Sequence, residues 1–119
     1  VELKDLIKKQ IDLDIRHGFP VSFDSDMEAY AQLSKDLIGL IGEIGEFSNA
    51  IKKINIKLDR PNEYELDIHA TKGQLGEELA DTLIYIIRLA AILEVDLEQQ
   101  LTEKMTRNEH RYANLQKQK

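Results

Sequence analysis

Two short stretches carry residues that could do chemistry together. Gly-Glu-Ile-Gly-Glu-Phe, residues 42–47, holds Glu43 and Glu46; Glu-Glu-Leu-Ala-Asp, residues 77–81, holds Glu78 and Asp81. Each is a pair of carboxylates three residues apart. On a helix that spacing puts both on one face, with Cβ atoms about 5–6 Å apart. Both pairs lie inside strongly apolar runs, where an uncompensated charge is costly. Four such acids on two facing helices cannot all stay ionised without counter-charge. Mg²⁺, for which Mn²⁺ can substitute, would supply it: the ion seeks oxygen ligands and is commonly shared with substrate phosphates. It also makes water beside it easier to deprotonate, and a neighbouring carboxylate can take that proton. An acidic pocket can therefore accept a polyanion, and hydrolysis of a phosphoanhydride follows from these parts.

Other chemistries fit less well. There is no cysteine, which removes disulfides, thiol catalysis and cysteine-zinc sites. None of His17, His69 and His110 lies three residues after a Glu, so the Glu-x-x-His pairs of di-iron bundles are missing. Neither HExxH nor GxxxxGK[ST] occurs, and Ser22, Ser25, Ser34 and Ser48 lack a nucleophile-elbow setting.

The elements that must position the acids read as four helices. Leu3, Leu6, Ile7, Ile11 and Ile15 mark a first amphipathic helix over 2–17, stopped by Gly18 and Pro20. A linker follows with Phe19, Val21 and Phe23, either packing residues or part of a ligand pocket. Asp24, Ser25 and Asp26 offer N-cap oxygens for a second helix, from about 25 to 54. Leu33, Leu37, Leu40, Ile44, Phe47, Ile51 and Ile54 form its stripe, with Glu43 and Glu46 at the edge. Gly39, Gly42 and Gly45 each cost that helix about 1 kcal/mol relative to alanine. They imply a close approach, by a neighbouring helix or by a ligand.

Residues 55–72 are expected to be a long polar connection, with Tyr64, Leu66 and Ile68 alternating as in a short extended piece. It reads as a mobile loop over a site or as an inert insertion. The third helix, about 72–93, is apolar over most of its circumference and should be central. Its narrow polar arc holds Gln74, Glu77, Glu78, Asp81, Tyr85 and Arg88. Asp96 and Gln99 form a capping-box pattern for a fourth helix, running to about Leu115, with a tail from Gln116 to Lys119 that should fray. Lys104, Asn108, Arg111 and Tyr112 share one face of it: a charged surface, or a clamp for phosphate and base.

The whole chain of 119 residues is read as one all-α, four-helix-bundle-like domain. At 42% hydrophobic and 32% charged it is globular, with a core of Leu, Ile and Ala, since it has three Phe and no Trp. Its net charge of −6 argues against a nucleic-acid polymer as partner. No apolar run reaches the ~20 residues of a membrane span, and no signal peptide is visible. The expected location is the cytoplasm, with no membrane partner.

The order Glu-x-x-Glu, connection, Glu-x-x-Asp, then a basic helix resembles the MazG-like all-α nucleoside triphosphate pyrophosphohydrolase superfamily, over residues 37–112. Leu-Ile-Gly-Glu-Ile-Gly-Glu-Phe, Glu-Leu-Ala-Asp-Thr-Leu-Ile-Tyr and Lys104-Met105-x-x-Asn108-x-x-Arg111-Tyr112 are most similar to its dCTP-pyrophosphatase-like branch. The resemblance implies Mg²⁺-dependent cleavage of a nucleoside triphosphate, with a deoxynucleotide preference, to monophosphate and pyrophosphate, in a house-cleaning role. It implies metal ligation and catalysis by Glu43, Glu46, Glu78 and Asp81, and substrate contacts from Lys104, Asn108, Arg111 and Tyr112. It further implies a homodimer or a dimer of dimers, with the core completed by dimerisation and sites where subunits meet. Many relatives carry Glu-Glu-x-x-Glu; here the first position is Gly42, and Glu77 is a candidate replacement. A phosphoribosyl-ATP pyrophosphohydrolase is an alternative within the class, and a non-enzymatic helical scaffold is the alternative outside it.

Overall fold

The structure, a computed structural model, describes residues 2–115. It contains helices α1 (Leu3–Arg16), α2 (Asp26–Asp59), α3 (Ile68–Ile92) and α4 (Leu97–Arg111), then a 3₁₀ turn at Ala113–Leu115. No strand occurs among the described residues, as the all-α reading requires. The tail expected to fray, Gln116 to Lys119, lies outside them.

Local chemistry sets the helix ends. Glu2 and Asp5 form a capping box at the start of α1. Gly18 ends it in the left-handed region (φ 83°), where a residue without Cβ is favoured. The Ser25 hydroxyl accepts the Glu28 N–H at 3.2 Å and so caps α2. Asp67 and Asp96 do the same for α3 and α4, accepting from Ala70 and Gln99.

The middle of the chain differs from the sequence expectation. α2 continues five residues beyond Ile54 to Asp59, and α3 begins at Ile68 rather than Lys72. Nothing in 55–59 breaks a helix. Arg60 stops it because the residue before a proline, here Pro61, disfavours helical geometry. The connection is thus only residues 60–67, and no extended piece forms across Tyr64, Leu66 and Ile68. Lys57 holds it, its ammonium donating to the carbonyls of Pro61 (2.6 Å) and Tyr64 (2.9 Å). The fourth helix also ends earlier than expected, with Tyr112 as its C-cap.

α2 and α3 form an antiparallel hairpin, as the pairs Asp36–Arg88, Gly39–Tyr85 and Glu43–Glu78 show. The buried apolar side chains among the described residues are Val21, Ala50, Ile87 and Ile92. Much apolar surface stays bare. Met27, Ile38 and Ile41 on α2 are 84%, 70% and 60% exposed, and Leu79 on α3 and Met105 on α4 are comparably open. α4 has no buried residue; its first turn touches α1, where Glu98 accepts the Lys4 N–H at 3.0 Å. No described helix is long and apolar enough to cross a membrane.

Candidate functional site

The antiparallel hairpin turns the two acidic motifs toward each other. One carboxylate oxygen each from Glu43, Glu46 and Glu78 lie within 4.8 Å of one another. Glu78 is buried, Glu43 half-buried and Glu46 exposed, so the group is rooted between the helices and opens to solvent. The Oε2 atoms of Glu43 and Glu78 are buried and have no hydrogen-bond partner. Buried polar atoms are nearly always satisfied, so two orphans in one cluster mark a place suited to something more. The close approach of the Glu43 carboxylate is the main reason that the Glu78 carboxyl is pushed up from 4.5 to about 7. Burial, the nearness of Glu46 and repulsion by both neighbours push it the same way.

Three converging carboxylates with two unpartnered oxygens fit a hard divalent cation with oxygen ligation. Asp81, the fourth acid expected here, is exposed one turn further along α3 and is outside the group of three. Glu77, the candidate substitute for a first-position carboxylate, is exposed and also outside it. The three glycines divide. At Gly39 the Tyr85 ring occupies the space a Cβ would need, so the neighbouring helix explains that one. Gly42 and Gly45 face open space.

Lys104, Asn108 and Arg111 lie on α4, with Asn108 half-buried and the other two exposed. Tyr112 caps that helix, its ring 5.1 Å from the Arg111 guanidinium carbon. Among the described residues no hydrogen bond or ion pair joins any of these four to the three acids. The linker residues divide too. Val21 is buried and Phe19 exposed, while Phe23 lines a cavity of about 460 Å³ with Asp24, Tyr30 and Glu94, at the far end of the hairpin from the acids.

Sequence reasoning did not single out Asp14 and Asp36, and it left Arg88 in the polar arc of α3. All three are buried, and both aspartates pair with Arg88. The available signal was a repeated spacing: Gln10 precedes Asp14, and Gln32 precedes Asp36, by four residues, and each amide donates to its carboxylate.

The sequence that carries the hairpin's acids is similar to known proteins. The chain belongs to the MazG nucleotide pyrophosphohydrolase domain family, which residues 33–115 match. It is similar to dCTP pyrophosphatase 1 of Mus musculus (35% identical over 89 residues), of Rattus norvegicus (34%) and of Homo sapiens (33%). These matches take in 75% of the chain and 51% of each relative, so the chain spans about half the length of the curated relatives it matches. No solved structure matches it.

Proposed function

We propose that the chain hydrolyses nucleoside triphosphates, with a preference for deoxynucleotides, to the monophosphate and pyrophosphate, and that it does so with Mg²⁺ in a nucleotide-pool house-cleaning role. The observation that carries this reading is the group Glu43, Glu46 and Glu78, with its two buried, unpartnered oxygens, inside the stretch that matches the family. The names of the similar mammalian proteins support dCTP among the candidate substrates.

Glu43, Glu46 and Glu78 would hold the metal, with Asp81 one turn along as a fourth ligand. Bound there, Mg²⁺ would neutralise phosphate oxygens and lower the pKa of water. Glu78 holds its proton well above the usual carboxylate range, to about 7, in the metal-free chain. Glu46, the open member of the group, would take a proton from water arriving from solvent. Lys104 and Arg111 would meet phosphate oxygens, Arg111 as a planar fork, while Asn108 and Tyr112 supply hydrogen bonds.

Those four residues are not bonded to the acids of their own chain. We therefore assign their role to a site completed by a second copy, in a homodimer or a dimer of dimers. The bare apolar faces of α2 and α4 support this, because large exposed apolar patches mark interaction surfaces.

The test is pyrophosphate release from a panel of nucleoside triphosphates with Mg²⁺, alongside a mass measurement by light scattering. Activity on deoxynucleotides that is lost in Glu46→Gln with helicity intact is the expected result. Silence across the panel, with no heat of Mg²⁺ binding, would end the reading.

A further inference from the structure

A second polar cluster, separate from the acids of the candidate site, joins three helices through one side chain. Arg88 is buried on α3. Its Nε donates to Asp36 Oδ2 on α2 at 3.1 Å. Its Nη1 donates to Asp14 Oδ2 on α1 at 3.2 Å and to the Phe19 carbonyl at 3.3 Å. Its Nη2 donates to the Pro20 carbonyl at 3.0 Å. The remaining oxygens of the two aspartates accept from Gln10 (2.9 Å) and Gln32 (3.3 Å). Burial works against the charge on Arg88, but Asp36 and then Asp14 outweigh it and hold its pKa above the usual value.

Apolar contact holds α1 only in part, with Leu3, Ile7, Ile11 and Leu13 half-buried. Asp14 is its only buried residue. Leu6 and Ile15 are 50% and 58% exposed. A cavity of about 330 Å³ lies between Leu6 and Leu13 on one side and Leu83, Ile84 and Ile87 of α3 on the other. The chain then turns at Gly18, and the next two carbonyls both end on the same guanidinium.

We propose that α1 and the linker to residue 24 form a strap latched to the α2–α3 hairpin by Arg88, and that this strap opens as one unit while the hairpin stays folded. A buried ionic cluster that loses one partner leaves the others desolvated and unpaired, which disfavours half-open states. Contacts gathered on a single side chain are therefore lost together. Helix and linker should come away in one step, as cooperative local units do.

Hydrogen exchange along a denaturant series tests this on the full chain. In the wild type, the amides of α1 and of residues 19–24 should share one opening, at lower denaturant than those of α2 and α3. Asp14→Asn removes the counter-charge on the α1 side of the latch and leaves Asp36 on Arg88. It should speed exchange in α1 and the linker by roughly tenfold or more, with the hairpin unchanged. Arg88→Lys, which keeps the charge but not the fork, should give the same pattern. If α1 exchanges together with α2 and α3 in the wild type, the strap does not exist. If Asp14→Asn speeds all the helices alike, Arg88 supports the whole fold rather than latching one part.

Discussion

The α2–α3 hairpin buries carboxylates at two levels, and it treats them in opposite ways. At the first, Asp36 and the incoming Asp14 meet Arg88, and every carboxylate oxygen has a donor. At the second, about 15 Å along α3 from the first, Glu78 meets Glu43 and Glu46; among the described residues no ion pair reaches them, and two buried oxygens have no partner. Where the chain supplies its own counter-charge, the cluster joins elements. Where it withholds one, the cluster is left open to a cation from outside. Like charges gathered without compensation are a standing cost to the fold, and such costs concentrate at functional sites.

Removing acids from the uncompensated level should have the largest effect. Glu78→Gln and Glu46→Gln should each lower pyrophosphate release by at least the roughly 10–100-fold that loss of a mere outer-shell partner costs a metal site. The metal-free form should keep its helicity by circular dichroism. Undiminished, wild-type activity in both variants would remove the contrast between the two levels.

The compensated level should respond in stability instead. Arg88→Met leaves two buried carboxylates without their cation and should cost about 3–5 kcal/mol in urea unfolding. Replacing Asp14, Asp36 and Arg88 together by apolar residues should recover most of that loss. A single substitution as mild as an exposed one would mean that water already serves the aspartates.

The pH response separates the levels further. Glu78 titrates near 7 in the folded chain against 4.5 ordinarily, so between those values the folded state binds the extra proton. Its contribution to stability is complete below pH 4.5 and is lost as pH rises toward 7. Melting temperatures of the metal-free protein across that window should carry this downward trend. Mg²⁺ should oppose it, and Glu78→Gln should flatten it.

The smallest expected effect is at Gly42, which faces open space. Gly42→Ala should stabilise α2 by roughly 0.5–1 kcal/mol, read in urea, because alanine loses less backbone freedom. A loss in place of that gain, together with a change in mass by light scattering, would place a second copy against this turn.

Most of the hairpin was legible in the sequence because its signals are local. The acids of α2 and α3 stood out by sitting three apart at the edge of an apolar stripe, and Ser25 and Asp96 cap as their side chains allow. The 55–72 stretch misled because polarity suggests a loop, whereas only Pro61 interrupts the backbone there. The Arg88 cluster was illegible for another reason. Its partners are 52 and 74 positions away, and a helical wheel carries no information about which distant element will face a given side chain. The position of Asp81 outside the group of three likewise depends on how α3 is rotated against α2, which spacing alone does not fix.

The hook that Lys57 makes with Pro61 and Tyr64 has a consequence for the acids. A crossover pinned at two points by one amine sets the phase between the two arms it joins. Each residue of slippage would swing a side chain by about 100° around its axis, enough to send Glu78 out of reach of Glu43. Acylating that one amine should therefore blur the meeting of distant carboxylates without touching any of them.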